Sequence, residues 1–321
     1  MPRRGPADLL DCIGGTSLVR LRRVAPAGGP RVLVKLESEN PTGSIKDRMA
    51  RAMIARALAD GRLAPGGPAV EYTGGSTGVS LAFVCAALGH PLHVVTSDAF
   101  AREKLDHMAL LGARLTIVPS DGGRMTAELT RAMVEAARAI AAETGAYWTD
   151  QLRNADQLTA YDAFAEEVLD AVDGPVAAVV QAVGTAGSLR GTAEGLRRRG
   201  AATAVVAVEP DESAVLSGGA PGAHTIDGVG AGFVVPLWQP GLASRIERVS
   251  TTDARAMTQR LAREEGLFAG TSTGANVVAA LRVAGDLGPH DTVVTVACDT
   301  GMKYLAGYGA ARPAIQVSAA R

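Results

Sequence analysis

"VAAVVQAVGTAGS", residues 176–188, runs from almost unbroken apolar character straight into a loop of glycine and hydroxyl residues. A strand with one wet face would alternate polar and apolar. A run that does not alternate reads as a strand covered on both faces. "RVLVKLE" (31–37), "AVEYT" (69–73), "LHVVTS" (92–97), "RLTIVPS" (114–120), "AVVAVEP" (204–210) and "TVVTVACD" (292–299) read as strands too. Helical patterns lie between them at 46–61, 76–88, 101–112 and 125–145. Strand–helix alternation along the chain predicts an α/β architecture with mainly parallel sheets.

The 321 residues suffice for two domains, although no shift in composition marks a boundary. A hydrophobic content of 47% with 20% charged residues is that of a globular protein. A net charge of -1 gives no basic footprint for nucleic acid and no polybasic patch for a membrane. The opening "MPRRGPADLLDCIGG" lacks an apolar signal segment, and no stretch approaches a membrane span. Cys12, Cys85 and Cys298 lie far apart, and neither they nor the five histidines show metal-ligand spacing. Cys85 and Cys298 sit in apolar runs and read as small core residues. These features predict a cytoplasmic protein without metal, nucleic acid or membrane partner.

In open parallel sheets, ligands bind beyond the carboxyl ends of the strands. Three loops there join glycine to hydroxyl residues ahead of a helix: "GGSTG" (74–78), "GTAGS" (184–188) and "GTSTGAN" (270–276). Glycine admits close backbone approach, and a helix N-terminus favours an anion. Ser76, Ser188 and Ser272 read equally as ordinary helix caps. The chain also spends only four of its 32 basic residues on lysine: Lys35, Lys46, Lys104 and Lys303. Lys46, in "NPTGSIKDR" (40–48), is either a Schiff-base amine, which arginine cannot supply, or a surface lysine beside Asp47. No P-loop and no dinucleotide fingerprint is present. An anion cradle with a lysine amine matches the needs of pyridoxal 5'-phosphate, whose ring nitrogen also requires a partner.

Several segments, in order, resemble the cysteine synthase/cystathionine β-synthase family of pyridoxal-phosphate enzymes, of the tryptophan-synthase-β fold type. They are "IGGTSLVRL" (13–21), "ENPTGSIKDR" (39–48), "YTGGSTG" (72–78), "VGTAGSLRG" (183–191), "IDGVGAGFVVP" (226–236) and "GTSTGAN" (270–276). The resemblance implies two three-layer α/β domains with the cofactor at their interface. Residues 1–39 and 151–321 would form the larger domain, and 40–150 a smaller mobile one carrying the substrate loop. It implies Lys46 as the Schiff-base and catalytic lysine. It places the cofactor's phosphate on Gly184, Thr185, Ala186, Gly187 and Ser188, its ring nitrogen at Ser272 and its 3-oxygen near Ser76. Thr73, Gly74, Gly75, Thr77 and Gln151 would hold the substrate carboxylate. The activity implied is β-replacement on an activated serine through an aminoacrylate, in a homodimer. Serine or threonine dehydration and a non-catalytic relative are the alternatives.

The chain departs from the family's pattern in the 151–168 stretch, which loses the usual Thr-Thr-Gly ahead of Glu166 and Glu167, and at three single positions. Ser76 stands where the family has asparagine, Gly74 where it has a hydroxyl residue, and Tyr161 where it has histidine. Smaller side chains at 74 and 76 predict a roomier pocket that grips O-acetylserine and sulfide weakly and prefers a bulkier donor or nucleophile. The absence of an appended regulatory region speaks against a full-length regulated cystathionine synthase.

Overall fold

The computed structural model describes residues 8–123 and 126–305. The elements in chain order are β1 (Leu18–Arg20), β2 (Arg31–Leu36), α1 (Lys46–Ala59), β3 (Ala69–Tyr72), α2 (Ser76–Leu88), β4 (Leu92–Ser97), α3 (Arg102–Leu110), β5 (Arg114–Val118), α4 (Ala127–Thr144) and β6 (Tyr147–Trp148). They continue with α5 (Leu158–Ala171), β7 (Ala178–Ala182), α6 (Gly187–Arg198), β8 (Ala204–Pro210), β9 (Arg245–Val249), α7 (Thr251–Arg260), α8 (Thr271–Gly285) and β10 (Thr292–Ala297). Among the described residues these strands form two sheets. The larger runs β1-β2-β10-β7-β8-β9 and the smaller β5-β4-β3-β6. Every pairing is parallel except β1 with β2. The chain is therefore α/β with parallel sheets covered by helices.

The continuous apolar runs account for the sheet interiors. All five residues of β7 and all six of β10 are buried, as expected for strands with helices on both faces. The strand expected over 114–120 stops at Val118, where Pro119 has no N–H to continue the ladder. The strand expected over 292–299 stops at Ala297, which frees Cys298 and Asp299 from the sheet. Helix α4 begins where the Thr126 side chain accepts from the Leu129 N–H at 3.1 Å, and it ends at Gly145 with φ +67. Met125, expected at the start of that helix, and residues 1–7 of the opening stretch lie outside the described residues. No helix among the described residues is long and apolar enough to cross a membrane.

One apolar cluster runs through both sheets, joining Ile45, Met49 and Met53 of the α1 region to Val79 and Leu81 of α2, Phe164 of α5 and Val294 of β10. A buried ion network lies against it. Arg48 Nε donates to Glu37 Oε2 at 2.7 Å and Nη2 to Glu37 Oε1 at 2.8 Å, while Nη1 and Nη2 reach the two oxygens of Glu167 at 2.8 and 2.7 Å. Lys35 Nζ donates to Glu167 Oε2 at 2.6 Å and to Thr16 Oγ1 at 2.6 Å. Burial opposes ionisation of Glu167, but Arg48 and Lys35 outweigh it and hold the carboxyl at about 2 against an ordinary 4.5. A carboxyl held low in the folded state contributes stability that is present above its unfolded value and lost as pH falls. The stability advantage of the wild type over Glu167→Gln is therefore expected to be full above pH 4.5 and to close as pH falls toward 2. Urea titrations of both proteins across that range measure it, and a gap that does not change with pH contradicts the assignment.

Candidate functional site

The turn before α1 is built to present Lys46. Gly43 takes φ +74, and a Cβ there would meet Thr300 Cγ2 at 2.6 Å, so both conformation and space call for glycine. Asp47, fully buried, holds the turn: its Oδ2 accepts from the Thr42 N–H at 2.8 Å and its Oδ1 from the Thr42 and Ser80 hydroxyls, both at 2.5 Å. Lys46 is therefore not a surface lysine beside a solvated Asp47: Asp47 is committed to the turn and Lys46 is half-buried. Among the described residues, the Lys46 side chain makes no hydrogen bond or ion pair and points into a cavity of about 300 Å³. The carboxyl ends of both sheets open onto this cavity. Thr73 follows β3, Phe100 follows β4, Gly184 follows β7, and Cys298 and Asp299 follow β10.

Three helix N-termini converge there. Their N-cap residues are Gly75 for α2, Ala186 for α6 and Gly270 for α8, and none has a side-chain cap. Ser76, Ser188 and Ser272 are therefore not the caps that the sequence allowed. Their hydroxyls line the cavity instead. Ser272 is 4 % exposed and lies beside the Cys298 thiol. Three uncapped N-termini present backbone N–H groups and partial positive charge, a setting for a ligand with more than one anionic group.

The other expected site residues also gather here. Lys46, Thr73, Gly74, Gly75, Ser76, Thr77, Gln151, Gly184, Thr185, Ser188 and Ser272 all line the cavity, whereas Ala186 and Gly187 stand just behind its wall. Ala186 takes φ +67, the left-handed conformation at the turn into α6. Gly187 donates its N–H to Thr185 Oγ1 at 3.2 Å, and a Cβ on it would collide with Gln157 Oε1 at 2.0 Å. Thr77 Oγ1 donates to Gln151 Oε1 at 2.7 Å, and Gln151 Nε2 donates to the Tyr72 carbonyl at 3.1 Å. Glu71 supports this pair from beneath. It accepts from Gln151 N at 2.9 Å and Thr149 Oγ1 at 2.6 Å, and burial pushes its carboxyl up to about 7.

Two expectations need correction. Gly74 does not open space. A Cβ at Gly74 would lie 1.8 Å from Cδ2 of Phe100, whose ring already fills that volume, so the roomier pocket and the substrate preference drawn from it lose their basis at this position. Gly74→Ser is expected to cost about 1–3 kcal/mol through overpacking. Phe100→Ala in the same chain should recover part of that loss, because neighbouring sites couple by roughly 0.5–3 kcal/mol. Thermal denaturation of the two single variants and the double variant measures it, and additive losses would show that the glycine and the ring do not compete. Cys298 is the second correction. It is not a plain core residue but part of the cavity wall, with its thiol pushed up to about 11 by burial.

Sequence reasoning missed Phe100, Lys104, Asp227, Asp299 and Tyr304, all of which line the cavity. Lys104 Nζ lies 3.7 Å from Asp227 Oδ1 and 4.3 Å from the centre of the Tyr304 ring. A signal existed for Phe100 and Asp299. Both lie within three residues of the carboxyl end of a parallel strand, where ligands bind in open sheets. The lysine question also finds an answer. Lys35, Lys104 and Lys303 are 1%, 8% and 9% exposed, so three of the four lysines occupy buried places, and Lys46 is half-buried.

A family profile described as "Pyridoxal-phosphate dependent enzyme" matches residues 9–299. A cysteine synthase from Staphylococcus aureus is 36% identical over 307 residues, covering 95% of this chain and 97% of that protein. The crystal structure of a cysteine synthase from Entamoeba histolytica superposes with a TM-score of 0.90 at 33% identity, covering 99% of this chain and 94% of the other. The crystal structure of an O-ureido-L-serine synthase superposes with a TM-score of 0.86, also at 33% identity, covering 94% of each chain.

Proposed function

Because the chain belongs to the family of pyridoxal-phosphate dependent enzymes, we propose that it catalyses β-replacement on an O-acylated serine, with Lys46 as the cofactor's amine. The observation that carries this reading is the half-buried, unengaged amine of Lys46 in one cavity with three helix N-termini whose N-cap residues supply no side-chain cap. The cavity fits the group. It offers one unengaged amine, N–H donors for a phosphate and a carboxylate, a hydroxyl at Ser272 and a buried Gln181 Oε1 that has no partner among the described residues.

In this reading residues 184–188 would hold the phosphate and the Ser272 hydroxyl would meet the ring nitrogen. Pyridoxal phosphate, when bound, supplies an electron sink for charge developing at the substrate's α-carbon. Ser272 would hold the ring nitrogen through a neutral hydroxyl, with no carboxylate of its own to offer there. Thr73, Gly74, Gly75 and Thr77 orient the substrate carboxylate, with Gln151 holding the Thr77 hydroxyl in place. Lys46 takes the proton from the α-carbon and later returns it, as a general base and acid placed by the first turn of α1. We further propose that residues 40–150 move as the smaller lobe and close on the bound carboxylate, excluding water. A homodimer in the cytoplasm completes the reading.

Relatives named for cysteine synthesis and for O-ureido-L-serine synthesis share this fold, so the nucleophile is the variable part. The test pairs serine, O-acetylserine and O-phosphoserine with sulfide, homocysteine and amines, and reads products by mass spectrometry. The expected result is a new bond at the β-carbon with O-acetylserine as a productive donor. Release of pyruvate without incorporation of any nucleophile would place the protein among β-eliminating enzymes instead.

A further inference from the structure

Glu71 has no role in the mechanism above, yet it lies under the substrate loop without a counter-ion. It sits on β3, is fully buried, and forms no ion pair among the described residues. Its partners are donors from its own strand and from the turn after β6. Oε1 accepts from the Tyr72 N–H at 2.9 Å, while Oε2 accepts from the Gln151 N–H at 2.9 Å and from Thr149 Oγ1 at 2.6 Å. Both ends of the 149–151 turn thus converge on one carboxylate oxygen. Asp150 between them takes φ +41, a left-handed conformation that residues other than glycine keep where neighbouring contacts fix it. Gln157 closes the turn from the other side, its Nε2 donating to the Gln151 carbonyl at 2.7 Å.

Gln151 carries the consequence into the cavity. Its Oε1 receives the Thr77 hydroxyl at 2.7 Å and its Nε2 donates to the Tyr72 carbonyl at 3.1 Å. The backbone position that Glu71 holds therefore decides where the Gln151 amide and the Thr77 hydroxyl stand. We propose that Glu71 is a positioning residue whose ionised carboxylate clamps the 149–151 turn and so sets the grip of Gln151 and Thr77 on the substrate carboxylate. The inference deepens the proposed function and rests on it.

A hydrogen bond to an ionised acceptor is about twice as strong as one between neutral groups. The carboxylate accepts through both oxygens, whereas the protonated form turns one of them into a donor. Thr149 has a second acceptor in reach, the Val70 carbonyl at 3.4 Å, so its hydroxyl can turn away when the clamp loosens. Burial pushes the Glu71 carboxyl up to about 7, which places this change near neutral pH. The titratable groups facing it are Tyr72 beside it and Asp150 across the turn. Asp150 Oδ2 lies 3.8 Å from Arg153 Nη1 and also feels Arg138 of α4. On β4, His93 is engaged with Thr116 Oγ1 at 2.7 Å, and α2 carries no charged side chain.

The test follows the KM for O-acetylserine in the holoenzyme from about pH 6 to about pH 8, a unit either side of the carboxyl's value. Glu71→Gln mimics the neutral carboxyl. It is expected to raise KM about tenfold above pH 7, the worth of a hydrogen bond to an ion. kcat should change little, the pattern of binding lost equally from ground and transition states. The ratio of the two KM values should close toward unity below pH 7, where the wild type is itself protonated. Thr149→Val keeps the carboxyl but removes its hydroxyl donor, and it remains informative if Glu71→Gln does not fold. It is expected to shift the wild-type rise in KM to higher pH by about one unit. A KM ratio near unity at every pH, a raised ratio that does not vary with pH, a loss confined to kcat, or an unshifted profile in Thr149→Val overturns the inference. Wild-type turnover separates the two levels. Turnover with any of these results overturns this inference alone, whereas no turnover of O-acetylserine with any nucleophile overturns the proposed function as well.

Discussion

Lys46→Ala is expected to leave a folded protein that loses the visible absorption of the bound cofactor and turns over at least about 10²–10⁴-fold more slowly, the usual worth of a placed general base. The fold should survive because the side chain makes no hydrogen bond or ion pair among the described residues, while the turn is held by Asp47, Thr42 and Ser80. No other lysine is placed to substitute. Lys35 is committed to Glu167 and Thr16, Lys104 sits near Asp227 over the Tyr304 ring, and Lys303 lies outside the cavity lining. Absorbance spectra and steady-state rates at saturating cofactor measure the effect. A variant that keeps both the chromophore and wild-type turnover would remove Lys46 from the chemistry.

Arg48→Ala is expected to destabilise the fold by about 3–5 kcal/mol, because deleting one partner of a buried ion pair strands the other charge. Arg48 is 4% exposed and is shared between Glu37, itself fully buried, and Glu167. Its planar fork meets Glu37 with two parallel bonds while the remaining N–H groups reach Glu167, which no ammonium can reproduce. Arg48→Lys should therefore recover only part of the loss. Lys46 stands two residues earlier on the same helix, so a variant that folds should also bind cofactor more weakly. Chemical denaturation of the apoproteins measures the stability change. A loss below about 1 kcal/mol would mean that solvent or neighbouring groups relieve the stranded carboxylates.

The architecture was legible because its strands carry no polar alternation, and β7, β8 and β10 emerge close to where their apolar runs predict. The short strands β1, β6 and β9 were not legible. Two or three residues give no periodicity, and the edge strand Arg245–Val249, Arg-Ile-Glu-Arg-Val, carries three charged residues and no apolar run. At the site, glycine-hydroxyl loops, a lysine in an arginine-rich chain and the family resemblance named residues that the fold gathers around one cavity. They could not show how the departures compensate one another. The missing side chain at Gly74 is replaced by Phe100, which is 26 positions further along the chain. The hydroxyl of Ser76 is received by Asp299 from the opposite sheet. Such pairings join residues with no local relation, so only the folded arrangement reveals them.

The most direct test of the assigned amine is borohydride reduction of the wild-type holoenzyme followed by peptide mapping. The cofactor's mass is expected on the peptide that contains Lys46 and on no other. Reduced cofactor on the peptide of Lys35, Lys104 or Lys303 would contradict it.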